Sequence, residues 1–463
     1  MPRMRFRLVA LIAMLVMAAA GCGRRTSTEP WPPITDPLVF DDTFGKNVIY
    51  QAFGGSRLDA LAIDSTTAYT GKSSMKISVP SATSTTGTYA GGALTTPRLR
   101  DLAGYNAVSF WMKGSVAATL AEAGFGNDNT GKSRYTASRS VIPVTTSWTQ
   151  VLVPIPNAAK LTAEGGLFYF SAAPLAGAGW TLWIDDVQFV NTATITNPRP
   201  ALASQTINTV SGAGVSLSGT TKTVFAVNGV DQTVGHMPGY FDFFHSAPAF
   251  GSVTTDGILH VASSGTDTLT AKLGTISATG RIVVNAIASP TTAAPNPTVA
   301  AGNVISLFSD VYSNVPVDTW NATWSQAYAS ESDLKVAGNP VKLYTNLTYA
   351  GIEFTTHTIN ASAMTAFHMD VYVPSGSTIK VKLVDFGANG VYGPLGSGND
   401  DTQSELTFTA PASLTVGAWY PLEIPLANFT TLTNRAHLAQ LIISGDLASN
   451  TRTVFVDNIY FHK

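Results

Sequence analysis

Runs of β-forming residues with a period of two recur along this chain, and no segment carries a long helical repeat of apolar residues. Ala107-Val-Ser-Phe-Trp-Met112, Val151-Leu-Val-Pro-Ile155, Lys380-Val-Lys-Leu-Val384 and Ser404-Glu-Leu-Thr-Phe408 all alternate, and Gly, Asn, Asp or Ser bound them. Alternation of this kind puts one face of a strand in a core and the other outside. Short helical pieces are expected only over 115–123 and 433–438. Charged residues are 12% of the chain, about half the usual ~25%. Thr, Ser, Asn and Gly must therefore carry much of the surface, as they do on exposed sheet faces and turns. The formal net charge of −2, with no basic run beyond the N-terminal leader, argues against a nucleic-acid partner.

A chain of 463 residues exceeds what one core usually serves. Three Pro-rich polar stretches, Arg24 to Pro37, Thr192 to Pro200 and Ser289 to Thr298, divide it. They leave modules over 38–191, 192–288 and 299–463, each of ordinary domain size.

The first and third modules read as copies of one plan. Val39-Phe40-Asp41-Asp42 opens one and Leu307-Phe308-Ser309-Asp310 the other. Trp148-Thr-Gln-Val-Leu-Val-Pro-Ile-Pro156 answers Trp419-Tyr-Pro-Leu-Glu-Ile-Pro425, and Trp183-Ile-Asp-Asp-Val-Gln-Phe189 answers Phe455-Val-Asp-Asn-Ile-Tyr-Phe461. Trp148 to Asp185 is 37 positions and Trp419 to Asp457 is 38. Opening and closing strands placed this way lie side by side in jelly-roll sandwiches.

These paired ends, with Gly71-Lys-Ser-Ser-Met-Lys-Ile77, resemble the galactose-binding-like jelly rolls of many carbohydrate-binding modules. The third module resembles an accessory module appended to laminarinase-type glycoside hydrolases. Val304-Ile-Ser-Leu-Phe-Ser-Asp310, Asp318-Thr-Trp320, Trp324, Val381-Lys-Leu-Val-Asp-Phe-Gly387, Asn399-Asp-Asp401, Leu432-Thr-Asn-Arg435 and Val456-Asp-Asn-Ile-Tyr-Phe461 carry that likeness. The middle module resembles a bacterial immunoglobulin-like domain through Ser252-Val-Thr-Thr-Asp-Gly-Ile-Leu259 and Gly265-Thr-Asp-Thr-Leu-Thr270, with Phe241 or Phe243 in place of the usual core Trp. The resemblance implies an all-β chain, two jelly-roll β-sandwiches flanking an immunoglobulin-like one.

The N-terminus adds a location. Arg3, Arg5 and Arg7 precede an apolar run from Leu8 to Ala20, too short for a spanning helix and shaped like a signal peptide over 1–21. Ala19-Ala-Gly-Cys22 resembles the lipobox of bacterial lipoproteins, which implies lipid attachment at Cys22, a tether over 22–37 and the outer membrane or cell surface of a diderm bacterium. Dual acylation anchors stably. Cys22 is also the one cysteine of the chain, so no internal disulfide can form.

Catalysis finds little support. Glycoside hydrolysis generally needs two positioned carboxylates, and the seven Glu form no closely spaced strand motif of the laminarinase kind. No Gly-x-Ser-x-Gly elbow, His-Glu-x-x-His helix or phosphate-cradling glycine loop is present. The expectation is a binding protein, not an enzyme. Its partner would be a polysaccharide, a β-glucan such as laminarin above all, presented near glycan-degrading enzymes or transporters. A structural or adhesive protein whose sandwiches are spacers is the alternative.

Two kinds of site are expected. The jelly-roll resemblance implies a structural Ca²⁺ where the opening loop meets the last strand, with Asp41, Asp64 and Asp185 in the first module and Asp310, Asp318 and Asp457 in the third. Calcium takes several oxygens, although Asp64 and Asp318 also read as turn residues bonding their own backbone. Aromatic rings stack on sugar C–H faces. Trp320, Trp324 and Tyr328 sit in an Asn-, Thr- and Ser-rich stretch, and Tyr392 lies in the loop Asp385–Tyr392. In Phe367–Val373, alternation sends His368, Asp370 and Tyr372 to the polar face, where a glycan platform or a merely solvated face would serve. Trp320, Trp324, Tyr392, His368 and Tyr372 are thus the expected glycan contacts. In the first module the same phase places Trp111 with Ser109 and Lys113. Trp148 and Trp419 precede equivalent strands and read as framework.

Overall fold

The computed structural model describes residues 32–326, 330–393, 400–445 and 453–463. The signal peptide, Cys22, most of the tether and Tyr328 lie outside the described residues. The described chain is all-β, and its helical segments are three-residue 3₁₀ turns such as Ala158–Lys160 and Leu426–Asn428. The helix expected over 115–123 is instead strand Ala118–Phe125, whose Leu120, Ala123 and Phe125 are buried in the core. Nor is there a helix over 433–438, where strand Leu438–Gly445 begins. The chain forms two compact units. One holds the residues up to Ser133 with Ser140–Thr192, the other Arg134–Arg139 with Ala193–Lys463.

In the first unit, one sheet runs in the order Thr149–Pro154, Ala107–Gly114, Trp180–Val190, Leu38–Asp41 and Thr43–Phe44. Ser74–Val79 also pairs with Trp180–Val190. First and last strands are therefore neighbours, as the repeated ends require. The facing sheet has the order Ala118–Phe125, Glu164–Ala172, Ala90–Arg100 and Ile49–Ala52. Phe110 and Phe168 meet edge-to-face at 5.0 Å in the core. Arg100 is fully buried, and its guanidinium donates to the carbonyls of Asp36 at 2.8 Å and Leu38 at 2.5 Å. It thereby satisfies carbonyls at the entry to the first strand.

In the second unit, the middle segment is built from strands throughout. Gln205–Val210 runs parallel to Ile282–Ile287, which pairs in turn with Gly265–Leu273. Phe241 is buried edge-on to His236, at 4.9 Å. The third module repeats the first. Ser330–Val336, Asn339–Thr345, Thr453–His462, Ala366–Tyr372 and Trp419–Pro425 form one sheet, with Val304–Phe308 also on Thr453–His462. Tyr349–Glu353, Leu438–Gly445, Thr378–Asp385 and Thr402–Thr409 form the other. Phe367, Met369, Val371, Leu441 and Ile443 fill the core between them, as the alternation predicts.

Candidate functional site

The closing strands of both modules share one irregularity. Asp185 pairs with Trp111 and Gln188 with Ser109, so Asp186 and Val187 together face Phe110. Asp457 pairs with Asp370 and Tyr460 with His368, so Asn458 and Ile459 together face Met369. Asp186 (φ 47°) and Asn458 (φ 48°) take the left-handed conformation that Asp and Asn tolerate best among residues with side chains. In each copy the preceding Asp accepts the bulge N–H, at 2.8 Å for Asp185 and 2.7 Å for Asp457. The repeated Asp-Asp and Asp-Asn pairs thus have a backbone role.

Asp64 and Asp318 are engaged as well. Asp64 accepts from Thr66 N at 2.8 Å and from the Trp183 indole at 2.8 Å, and the Thr66 hydroxyl and this indole hold its carboxyl down at about 2. Asp318 accepts from Thr355 Oγ1 at 3.0 Å and Thr356 N at 2.9 Å. Asp41 is exposed, and the strand register makes Asp42 the counterpart of Asp310, since Phe40 faces Val187 as Phe308 faces Ile459. Asp42 accepts from the amides of Lys72 and Ser73. Burial pushes the Asp457 carboxyl up to about 7, and the nearby Asp310 and Asp370 carboxylates add to this. Among the described residues no group of three or more His, Cys, Asp or Glu is arranged to hold a metal ion, so the carboxylates named for calcium are not gathered into such a group.

The two copies differ on the outer face of the sheet that carries the closing strand. In the first module Tyr69 stacks on Trp111 at 3.8 Å and meets Trp148 edge-on at 5.9 Å. Lys113 Nζ lies 6.0 Å from the Trp148 ring and 5.6 Å from the Trp183 ring. By register Tyr372, Trp419 and Phe455 take the places of Lys113, Trp148 and Trp183. Those three pack with Val210, Ala213 and Ile287 of the middle segment, and Trp419 Nε1 donates to the Thr292 carbonyl at 2.7 Å. A face that is aromatic in one copy is an internal interface in the other. Tyr372 belongs to that interface. His368 lies further along the strand, half-buried, bonded to Glu423 at 2.7 Å and stacked on Tyr460 at 4.6 Å. Burial opposes its charge, but Asp370 and Glu423 outweigh it and raise the imidazole's pKa.

The opposite sheet carries the second surface. Thr88-Tyr-Ala-Gly91 and Thr348-Tyr-Ala-Gly351 are identical and enter corresponding strands. Each glycine lies under an aromatic ring. A Cβ on Gly91 would stand 2.8 Å from the Tyr89 ring and 3.3 Å from Phe53, and one on Gly351 would stand 2.1 Å from the Trp324 ring. Beside Gly91, Tyr169 meets Phe53 at 6.3 Å and donates to Glu122 Oε1 at 2.9 Å. Beside Gly351, Glu353 Oε1 accepts from both the Trp324 indole, at 2.8 Å, and Gln440 Nε2, at 2.9 Å. Trp324 is 40% exposed. It is a fixed ring with an open surface next to hydrogen-bonding groups, the arrangement that sugars use.

The five expected glycan contacts therefore occupy different surroundings. Trp324 stands on this second face. Tyr392 is exposed and packs on Phe386 at 5.6 Å. Trp320 is half-buried against Phe308 and Lys342. Tyr89, Phe53, Tyr169, Glu122, Glu353 and Gln440 are not marked by alternation; the repeated Thr-Tyr-Ala-Gly marks Tyr89 and the strand that carries Glu353, and the others come together only in the fold.

Residues 37–191 match the family model for carbohydrate binding domain 30. The first module is thus similar to a carbohydrate-binding domain. Among solved structures, the family 30 module of the cellulosomal cellulase Cel9D-Cel44B of Clostridium thermocellum is 18% identical, with 35% of this chain and 99% of that one covered and a TM-score of 0.25. The family 11 module of Lic26A-Cel5E from the same organism is 14% identical over 35% of this chain and 96% of its own, with a TM-score of 0.26. The tandem CBM22-1–CBM22-2 domains of Paenibacillus barcinonensis Xyn10C are 12% identical over 94% and 99%, with a TM-score of 0.23. No curated protein matches the chain.

Proposed function

We propose that the protein is a surface lipoprotein, anchored through Cys22, that binds a polysaccharide through its two jelly-roll modules and does no chemistry of its own. The carrying observation is the aromatic ring seated on a glycine at the same strand position in both modules, Tyr89 over Gly91 and Trp324 over Gly351. The absence of a side chain beneath lets a ring sit close against the sheet, where its exposed side can meet a sugar. Glu353, Gln440 and Glu122 supply acceptors and donors for hydroxyl groups alongside. The match over residues 37–191 supports the same reading. A β-glucan such as laminarin is the ligand class proposed, and the middle immunoglobulin-like segment would act as a spacer. The anchor would hold the protein at the outer membrane or cell surface, near glycan-degrading enzymes or transporters.

The test is calorimetric titration of laminarin and other β-glucans into the mature chain, with Tyr89→Ala and Trp324→Ala alongside. One stacked ring contributes ~1 kcal/mol, so each change should weaken its own site about fivefold. A chain that binds none of these polysaccharides is a spacer protein.

A further inference from the structure

A second place in the third module presents aromatic surface to solvent, and it lies away from Trp324. Between the middle segment and the third module runs a cleft of about 710 Å³, within the range of small-molecule sites. Phe308 and Trp320 form its aromatic wall, with Val315 and Val317 beside them. From the middle segment come His260 and two glycines, Gly212 and Gly214, which leave the mouth clear of side chains.

The Trp320 ring is held from several sides. Phe308 meets it edge-to-face at 5.6 Å, and Lys342 Nζ lies 4.6 Å from its centre. Lys342 is itself fixed by Glu331 at 3.0 Å and Asp333 at 2.7 Å. The Trp320 carbonyl accepts from Tyr344 Oη at 2.8 Å. A ring held this way pays little ordering entropy on binding. The cleft's charges are mixed: Lys335 and Lys342 stand against Asp333 and Glu331, both of which pair with Lys342, and His260 lies opposite. Both donors and acceptors stand beside apolar carbon. That combination suits a neutral chain of hydroxylated rings.

We propose that this cleft is a second saccharide site, for a segment of neutral oligosaccharide, formed only where the middle segment and third module meet. It rests on the polysaccharide-binding reading above but uses different residues. Binding there would tie the two parts together, so ligand would also protect the pair against separate unfolding.

Laminari-oligosaccharides titrated into the full mature chain decide the matter. His260 and Lys335 are exposed, so His260→Ala and Lys335→Ala should leave the fold intact. The expected result is one fewer site per chain, or a severalfold weaker second site, in those variants and in Trp320→Ala, while the Trp324 site is unchanged. Trp324→Ala should show the converse. If His260→Ala and Lys335→Ala titrate as the parent does, the cleft binds no saccharide, and the Trp324 face can still stand. If Trp324→Ala and Tyr89→Ala leave all binding intact while the cleft variants abolish it, the cleft stands and the glycine-seated rings do not. A parent chain that binds no oligosaccharide overturns both.

Discussion

Trp324 rests on Gly351 so closely that a single methyl group on that glycine would fall 2.1 Å from the indole. Gly351 does not have a left-handed backbone, and the three atoms nearest a Cβ there all belong to the Trp324 ring. Gly351→Ala should therefore swing Trp324 off the sheet and break its bond to Glu353. Overpacking of this kind costs about 1–3 kcal/mol, less where the ring can move into solvent. The expected outcome is a red-shifted Trp emission and a loss of glucan affinity equal to that of Trp324→Ala. Unchanged affinity would show that the seat on glycine is irrelevant to binding.

Trp148 and Trp419 occupy one framework position but do different work. Trp419 packs with the middle segment and bonds to Thr292, while Trp148 shares its face with Tyr69 and Lys113. Trp419→Ala should cost about 2 kcal/mol or more, through lost packing. Trp148→Ala should cost about 1 kcal/mol or less. Thermal melts of the two variants, compared directly, check the difference.

Cys22→Ser should abolish acylation and leave the protein soluble or unprocessed. Incorporation of labelled palmitate that survives the change would remove the proposed anchor.

The strands were legible because alternation and burial share a cause: Phe367, Met369, Val371 and Val373 point into the core together. The kinship of the two modules was legible because Trp183–Phe189 and Phe455–Phe461 preserve both a strand and its bulge. What covers an outward face was not. His368 and Tyr372 read alike in sequence, yet a distant segment covers only Tyr372, through Val210 and Ile287. Trp324 was found as an exposed aromatic, but its seat depends on a glycine 27 positions on, which period-two reading passes over. Asp185 and Asp457 accept from bulge amides, and Asp64 and Asp318 from turn and loop groups; a short Asp can serve backbone or cation, and spacing alone does not separate the two.

Asp457 gives the clearest dependence on pH. It is 1% exposed, and burial, with the Asp310 and Asp370 carboxylates nearby, raises it to about 7 from the ordinary aspartate value of 3.8. Between roughly pH 4 and 7 the folded protein therefore holds a proton at this carboxyl that the unfolded chain has released. Stability from this group is fully present below the unfolded value and is lost as pH rises through about 7. A rise from 3.8 to about 7 corresponds to at most about 4 kcal/mol, and relaxation around a buried carboxyl lowers that. Asp457→Asn should flatten this part of the profile and raise the melting temperature at pH 8. It keeps an acceptor for the Asn458 N–H, and Asn339, whose Oδ1 has no hydrogen-bond partner, can turn its amide to meet the new donor. Melts from pH 4 to 8 in EDTA should show a slope for the parent and a weaker one for the variant. Equal slopes would place the titrating group elsewhere. The same experiment reads the calcium expectation. A cation bridging Asp310 and Asp457 would keep both ionised, raise the parent's melting temperature at pH 8 and weaken the slope to that left by Glu164, which burial also raises to about 7, and EDTA would restore it. If the melts with and without calcium coincide, the acidic pocket works by proton alone.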